Sequence, residues 1–235
     1  RTRSVDSVMH EMREQSQRHN TTNFLFLDLK LNSHPGMLRG IVDQVQRYVP
    51  GAEWVGTIHV DQRRDNGLTP RELRAAVNAG MRRVSFGLET GSQRMLDAMN
   101  KGTTVEGNSA FIRAAHEAGL SVRCTAFKGF PGETPEDLEL TAKFLEEHAA
   151  YIDRVRFNDF SVIEDTEIYN DLLAMPDRFP MSVTRLDDRN ARALYRNPEG
   201  YGRPYRQAKA HVARAVYAIN RKPVRRAAAA FDGLM

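Results

Sequence analysis

The sequence predicts an α/β protein: a partial barrel of parallel strands, followed by an irregular, helical extension. Three observations carry that reading. Short apolar runs alternate with amphipathic segments as far as about residue 174. Equivalent strand positions fall near residues 25, 55, 85, 123 and 156, which is the spacing of βα units. Polar residues recur at the strands' C-terminal ends, where barrels of this kind place their sites. These are Asp28, His59 with Asp61, Glu89, Lys128 with Gly129, and Asn158 with Asp159.

The elements follow in order. Val5, Val8, Met9 and Met12 trace a helical stripe at the very start, so the chain is expected to begin inside a structured region, with an N-terminal portion lying upstream. "NFLFLDL" (23–29) predicts a strand and 36–48 a helix; "EWVGTIHV" (53–60) predicts the next strand, and Pro70 opens a helix that stops before Gly80. "RRVSFGLE" (82–89) is a strand, Ser92 caps a short helix, and a longer helix near 105–118 ends at Gly119. "LSVRCTAFKGF" (120–130) leads through a Gly/Pro bend into a helix with Thr134 as N-cap and Pro135 as its first residue. "DRVRFNDFSVI" (153–163) is the last predicted strand, with a helix from about 166 to 174. The right-handed crossover rule leaves an open doubly wound sheet or a curved barrel. No G-x-G-x-x-G follows any strand, which disfavours a dinucleotide fold. The domain reading is therefore a barrel over 1–175 and, over 176–235, an irregular connection, a basic helix near 205–220 and a fraying Ala/Arg tail.

Composition bounds the function. With 41% hydrophobic and 27% charged residues, the 235-residue chain is ordinary for a soluble domain. No apolar run approaches the roughly 20 residues needed to cross a bilayer. Cys124 is the single cysteine, which excludes an internal disulfide and a self-contained Cys-rich metal site, and makes the cytoplasm the expected compartment. The net charge of +4 is uneven: residues 200–231 hold eight Lys/Arg and no acid. That stretch predicts a solvated or domain-docking helix ahead of a nucleic-acid surface, since no base-reading motif accompanies it.

Several residues are candidates for chemistry. Glu89 ends a strand beside Thr90, Gly91 and Ser92, where a carboxylate can accept hydrogen bonds from a ligand hydroxyl or ammonium group; the alternative is a charge complementing a helix dipole. Lys101 lies past the following short helix, where it serves a ligand or offsets that helix's C-terminus. Period-2 alternation puts Arg123, Thr125 and Phe127 on the barrel's inner face and Cys124 among the helices, as core. Arg123 then needs an anionic partner: Glu89, Asp28 or a ligand carboxylate. His59 reads as polar lining, and Asn158 with Phe160 can offer an amide and a ring to a heterocycle. Gly129, Phe130, Pro131 and Gly132 form a bend that either simply turns the chain or holds a ligand.

Together, "RRVSFGLETGSQRMLDAMNKGTT", "GLSVRCTAFKGFPGETPEDLELTAKFLEE" and "VRFNDFSVIEDTEIY" resemble strands four, five and six of radical S-adenosylmethionine (radical SAM) enzymes. The similar subgroup holds cobalamin-dependent radical enzymes, methylthiotransferases and oxygen-independent coproporphyrinogen oxidase. "FLFLDLKLN" resembles the second-strand segment of the cobalamin-associated branch. The resemblance runs in order from residue 1 to about 170. It implies a partial (β/α)6, TIM-like barrel with S-adenosylmethionine (SAM) across its open mouth. Carried over by position, Glu89 would contact the ribose or methionine region and Lys101 the methionine carboxylate. Asp28, His59, Arg123, Thr125, Asn158 and Phe160 would line the same cavity, and the bend 129–132 would lie beside the adenine. One departure stands out: the family's C-x-x-x-C-x-x-C loop, which holds a [4Fe–4S] cluster, is absent from this sequence. "RTRSVDSVMHEM" resembles the helix after that loop, so the cluster ligands are expected upstream and the fragment alone is expected to cleave no SAM. The implied parent would generate a 5′-deoxyadenosyl radical for hydrogen abstraction or methyl transfer on a small-molecule or peptide substrate, with an upstream cobalamin-binding domain as an implied partner. Two alternatives stay open: an RNA-modifying methylthiotransferase, and a non-enzymatic scaffold without a cluster.

Overall fold

The computed structural model describes residues 3–63, 65–174, 182–187 and 189–233. Five strands form one sheet: β1 (Asn23–Leu25), β2 (Glu53–Ile58), β3 (Met81–Glu89), β4 (Ser121–Lys128) and β5 (Arg154–Asp159). They are parallel and stand side by side in sequence order. Sequential order with a constant crossover hand puts the connecting helices on one face, so the sheet curls into a half-barrel rather than winding both ways. The partial parallel barrel expected from the sequence is the fold observed.

The helices start and stop where local chemistry dictates. α1 (Val5–His19) is capped by the Ser4 hydroxyl and ends at Asn20 in left-handed backbone. α2 (Pro35–Tyr48) and α3 (Pro70–Asn78) begin with proline, and Thr69 and Glu72 form a capping box on α3. A short α4 (Gln93–Ala98) takes Ser92 as its cap, and α5 (Val105–Ala118) takes Thr104 and stops at Gly119. In α6 (Pro135–Glu147), the Asp137 carboxylate accepts from the Thr134 amide at 2.8 Å, as a capping box requires. Trp54, Phe86, Leu88, Ile112 and Leu138 fill the core between sheet and helices.

In its strands the structure departs from the sequence reading at three places. The predicted first strand, 23–29, stops at Leu25; it is an edge strand, and Leu27 and Leu29 stand exposed beyond it. The predicted last strand, 153–163, breaks after Asp159, and β6 (Val162–Ile163) joins a second sheet. After α7 (Glu167–Ala174), the stretch expected to be irregular contributes a hairpin, β7 (Ser182–Asp187) and β8 (Arg192–Arg196), antiparallel in the order β6-β8-β7. Nearly every β7 side chain is exposed, so the strand carries no apolar alternation to signal it. The proposed boundary at 175/176 lies outside the described residues.

The basic C-terminal region is docked. α8 (Arg203–Asn220) buries Tyr205, Ala208, Val212, Ala215 and Ile219 against α6 and β5. The Asn220 side chain completes the free edge of β5, accepting from the Val155 amide and donating to its carbonyl, both at 2.8 Å. The tail expected to fray instead forms a 3-10 turn (Arg226–Phe231) with Ala228 and Phe231 buried, its Phe231 carbonyl accepting from Arg83 at 2.7 Å.

Candidate functional site

The C-terminal ends of β2 and β3 bring three of the expected residues together. β3 bulges at its end: Gly87 pairs with Thr125, and Glu89, two residues on, pairs with the next residue, Ala126. Glu89 takes a left-handed backbone, φ 64°, an uncommon conformation for glutamate and the kind of strain that collects at functional sites. This conformation folds its side chain back over Gly87; a Cβ on Gly87 would lie 2.3 Å from Glu89 Oε1. Lys101 reaches the same oxygen at 2.7 Å. It is placed by Asn100 and Gly102, both at positive φ (51° and 68°), which flank it in a tight reversal. The Lys101 carbonyl lies 3.1 Å from His59 Nε2. Because a carbonyl only accepts, Nε2 carries the proton and the neutral ring keeps Nδ1 as an acceptor. Burial, then the charges of Lys30 and Lys101, hold the His59 pKa below its ordinary value, so the ring is neutral at pH 7.

The pair is half-open, with the Glu89 side chain 14% exposed and Lys101 32%. A carboxylate and an ammonium held side by side at a strand mouth complement a zwitterion, whose ammonium meets the one and carboxylate the other. That arrangement can orient an amino-acid moiety. His59 adds a neutral polar wall without competing charge.

The opening between β4 and β5 holds other expected residues. Phe160 packs on Phe127 and Phe130, ring centroids 5.1 and 4.8 Å apart. Thr125 donates to the Phe86 carbonyl at 3.4 Å, and Asn158 is exposed on the strand end, in register with Phe127. Lys128 pairs with Asp159 and lies over the Phe157 ring. In the 129–132 bend, Gly129 and Gly132 both take positive φ (83° and 79°). Its polar backbone is claimed internally. The Gly129 amide donates to Glu133 Oε2 at 2.7 Å, the Gly129 carbonyl accepts from the Tyr195 hydroxyl at 2.5 Å, and the Gly132 carbonyl accepts from Arg94 at 2.9 Å.

Two expected residues sit elsewhere. Asp28 is exposed beyond β1 and lines a groove of about 690 Å³ between that strand, α1 and α2. Arg123 lies near the N-terminal end of β4, beside Arg83, Arg154 and Arg156, not at the mouth. Strand alternation set its inward direction correctly, but its height along the strand puts it at the barrel floor, away from Glu89. Cys124 is core, as expected, and burial pushes its thiol pKa up to about 12.

Sequence reasoning missed the residues that hold the bend. Glu133 is 1% exposed, accepts from the Tyr205 hydroxyl at 2.5 Å as well as from Gly129, and is pushed up to about 7 by burial. Asn197 donates to the Glu133 carbonyl at 3.1 Å. The signal for Glu133 was present: an acid directly after Gly-Phe-Pro-Gly is placed to accept from the amides of its own turn. No local signal marks Tyr195, Asn197 or Tyr205, which arrive from more than 60 residues away.

Sequential parallel strands curled into a half-barrel, with a polar mouth that complements a zwitterion, define an α/β barrel-type protein. The family model of the radical SAM superfamily matches residues 1–145, and the chain belongs to that superfamily. It is 28% identical over 144 residues to the anaerobic magnesium-protoporphyrin IX monomethyl ester cyclase of Rubrivivax gelatinosus, covering 61% of this chain and 25% of that one. It is 35% identical over 109 residues to the ribosomal protein uS12 methylthiotransferase of Thermus thermophilus, covering 46% and 23%. Among solved structures it resembles the radical SAM methyltransferase TsrM of Kitasatospora setae, determined with cobalamin and a [4Fe–4S] cluster (TM-score 0.65, 16% identity, 92% of this chain and 47% of that one). It also resembles the cobalamin-dependent radical SAM enzyme OxsB (TM-score 0.68, 12% identity, 88% and 36%). The chain thus spans about a quarter of these curated relatives and less than half of these solved structures. No described helix is long and apolar enough to cross a membrane.

Proposed function

We propose that this chain is the SAM-side part of a cytoplasmic radical SAM enzyme. The observation that carries the reading is the Glu89–Lys101 pair at the strand mouth, folded over Gly87. It suits the methionine end of SAM: Lys101 donates to the carboxylate, while Glu89 accepts from the ammonium or from a ribose hydroxyl. His59 Nδ1 is a further acceptor, and Phe127 and Phe160 with Thr125 and Asn158 provide a mixed ring-and-amide wall for the nucleoside. Bound SAM supplies radical chemistry to a substrate, hydrogen abstraction or methyl transfer. The chain's own part is to bind, orient and exclude water.

The residues present do not fit an iron–sulfur cluster. Cys124 is the only cysteine and is buried, and among the described residues no three metal-ligating side chains converge. Thiolates for a cluster would come from outside these 235 residues. Cobalamin use is proposed from the fold neighbours alone, and no residue here is assigned to it. A second reading, methylthiotransferase activity, is favoured by the identity to the uS12 enzymes. On the first reading the substrate is a small molecule or peptide.

Equilibrium dialysis of radiolabelled SAM against the chain tests the site. Saturable one-to-one binding, weakened at least tenfold by Glu89→Gln, supports it. Absence of binding, or an affinity untouched by Glu89→Gln, removes Glu89 from the cofactor site.

A further inference from the structure

Four arginines share the inner face of the half-barrel at the end opposite Glu89. Arg83 alternates along β3 with Ser85, Gly87 and Glu89; Arg123 alternates along β4 with Thr125; Arg154 and Arg156 alternate along β5 with Asn158. Strand register sets Arg123 level with Arg154, while Arg83, paired with Ser121, lies one inward position below them and Arg156, paired with Thr125, one above. Together with Val155, Asp232 and Gly233 they line a cavity of about 260 Å³. From Arg83 to Glu89 the strand advances six residues, about 20 Å, so Arg83 lies far below the mouth, and Arg156, level with Thr125 and Gly87, is the end of the cluster that approaches it.

Its charge is unbalanced. Among the described residues, the carboxylates facing Arg83 are Asp232 and Asp153, and both have other work. Asp232 accepts from Arg154 at 3.0 Å, and Asp153 accepts from the Val122 amide at 2.9 Å. Among the described residues, guanidinium groups thus outnumber carboxylates around the cavity. Arg83 is only 2% exposed, and of its three nitrogens Nη1 alone is bonded, to the Phe231 carbonyl. Among the described residues, its Nε and Nη2 find no hydrogen-bond partner, and Asp232 Oδ1 stands 4.0 Å from Nη2. A buried guanidinium with two unmet donors is costly to hold, and a rigid planar fork of this kind matches the two oxygens of a carboxylate or phosphate.

We infer that this arginine floor is an oxyanion site, which takes the carboxylate or phosphate group of a small-molecule ligand held inside the barrel. Arg83 supplies the buried donors and Arg156, exposed at the rim, the capturing charge. Asp232 fills part of the site from the C-terminal segment and competes for it. The cavity has room for one small oxyanion group, and its inward position excludes a macromolecular surface.

Isothermal titration calorimetry of the full chain at fixed ionic strength tests this, with inorganic phosphate, pyrophosphate and citrate as probes. Saturable one-to-one binding of at least one probe is expected, and the probe preferred tells phosphate from carboxylate. Arg156→Gln should weaken that binding at least fivefold, and Asp232→Asn should tighten it about threefold. Arg18→Gln, on the outer helix α1, should leave it unchanged. No saturable binding of any probe, or an affinity indifferent to both Arg156→Gln and Asp232→Asn, overturns the inference. No SAM is present in this experiment, so its outcome is independent of the cofactor reading.

Discussion

The carboxylate of Glu89 lies directly over Gly87: a methyl group placed on that glycine would come within 2.3 Å of Glu89 Oε1, the oxygen that holds Lys101. Gly87 therefore acts as the floor of the candidate SAM site. Its φ is not in the left-handed region, so alanine meets no backbone penalty there. Gly87→Ala should displace the Glu89 side chain and weaken SAM binding about tenfold, a change of about 1.4 kcal/mol. The fold should lose less than about 1 kcal/mol, because only the end of a flexible side chain must move. Dialysis and urea unfolding on the same sample separate the two effects.

Gly91 presents the opposite case. A Cβ there would stand 2.7 Å from the Leu140 carbonyl and 2.8 Å from Thr141 Cα, backbone that cannot swing aside. Gly91 also donates to the Thr141 hydroxyl at 2.9 Å, which ties the loop after β3 to α6. Gly91→Ala should cost about 2–3 kcal/mol of unfolding free energy through overpacking. A chemical-denaturation midpoint equal to wild type would show that this contact is looser than described.

Glu133 makes stability depend on pH with a definite sign. Burial lifts its pKa from 4.5 to about 7, against the Gly129 amide and the Tyr205 hydroxyl. The folded state therefore binds a proton that the unfolded chain releases near 4.5. The stability this contributes is complete below that value and fades as the pH rises through 7, by an amount on the order of 3 kcal/mol. Glu133→Gln should flatten the stability profile between pH 4.5 and 7. Parallel wild-type and variant profiles in thermal unfolding would contradict this.

Asp137 works in the other direction. Burial alone would raise its carboxyl, but the Ser92 hydroxyl, Arg94 and Thr134 outweigh it and hold the pKa below the ordinary carboxylate range. Its contribution is present at neutral pH and lost as the pH falls through that depressed value. Asp137→Asn should cost about 2 kcal/mol at pH 7 and progressively less in acid. Unfolding titrations at pH 7 and pH 3.5 give the comparison.

The fold was legible because its signals are local. The recurring βα spacing, the caps Ser92 and Thr134, and the stops at Gly119 and before Gly80 each sit within a few residues of what they govern. Glu89 and His59 were legible for the same reason, as polar residues at strand ends, and Lys101 as a charge just past a short helix. Arg123 shows the limit: alternation gives the face a side chain takes but not the depth at which a ligand lies. The β7–β8 hairpin and the docked tail were illegible because they depend on partners distant in sequence. Tyr195 and Tyr205 close on Gly129 and Glu133, and Phe231 docks on Arg83, through contacts that no short window contains.

A double-mutant cycle on SAM affinity reaches the claim that matters most, that Glu89 and Lys101 act as one unit on the cofactor. Dissociation constants for wild type, Glu89→Gln, Lys101→Met and the double variant suffice. If the two act as one unit, each single change weakens binding at least tenfold and the double change costs little more than either alone. Wild-type affinity in both single variants would contradict it.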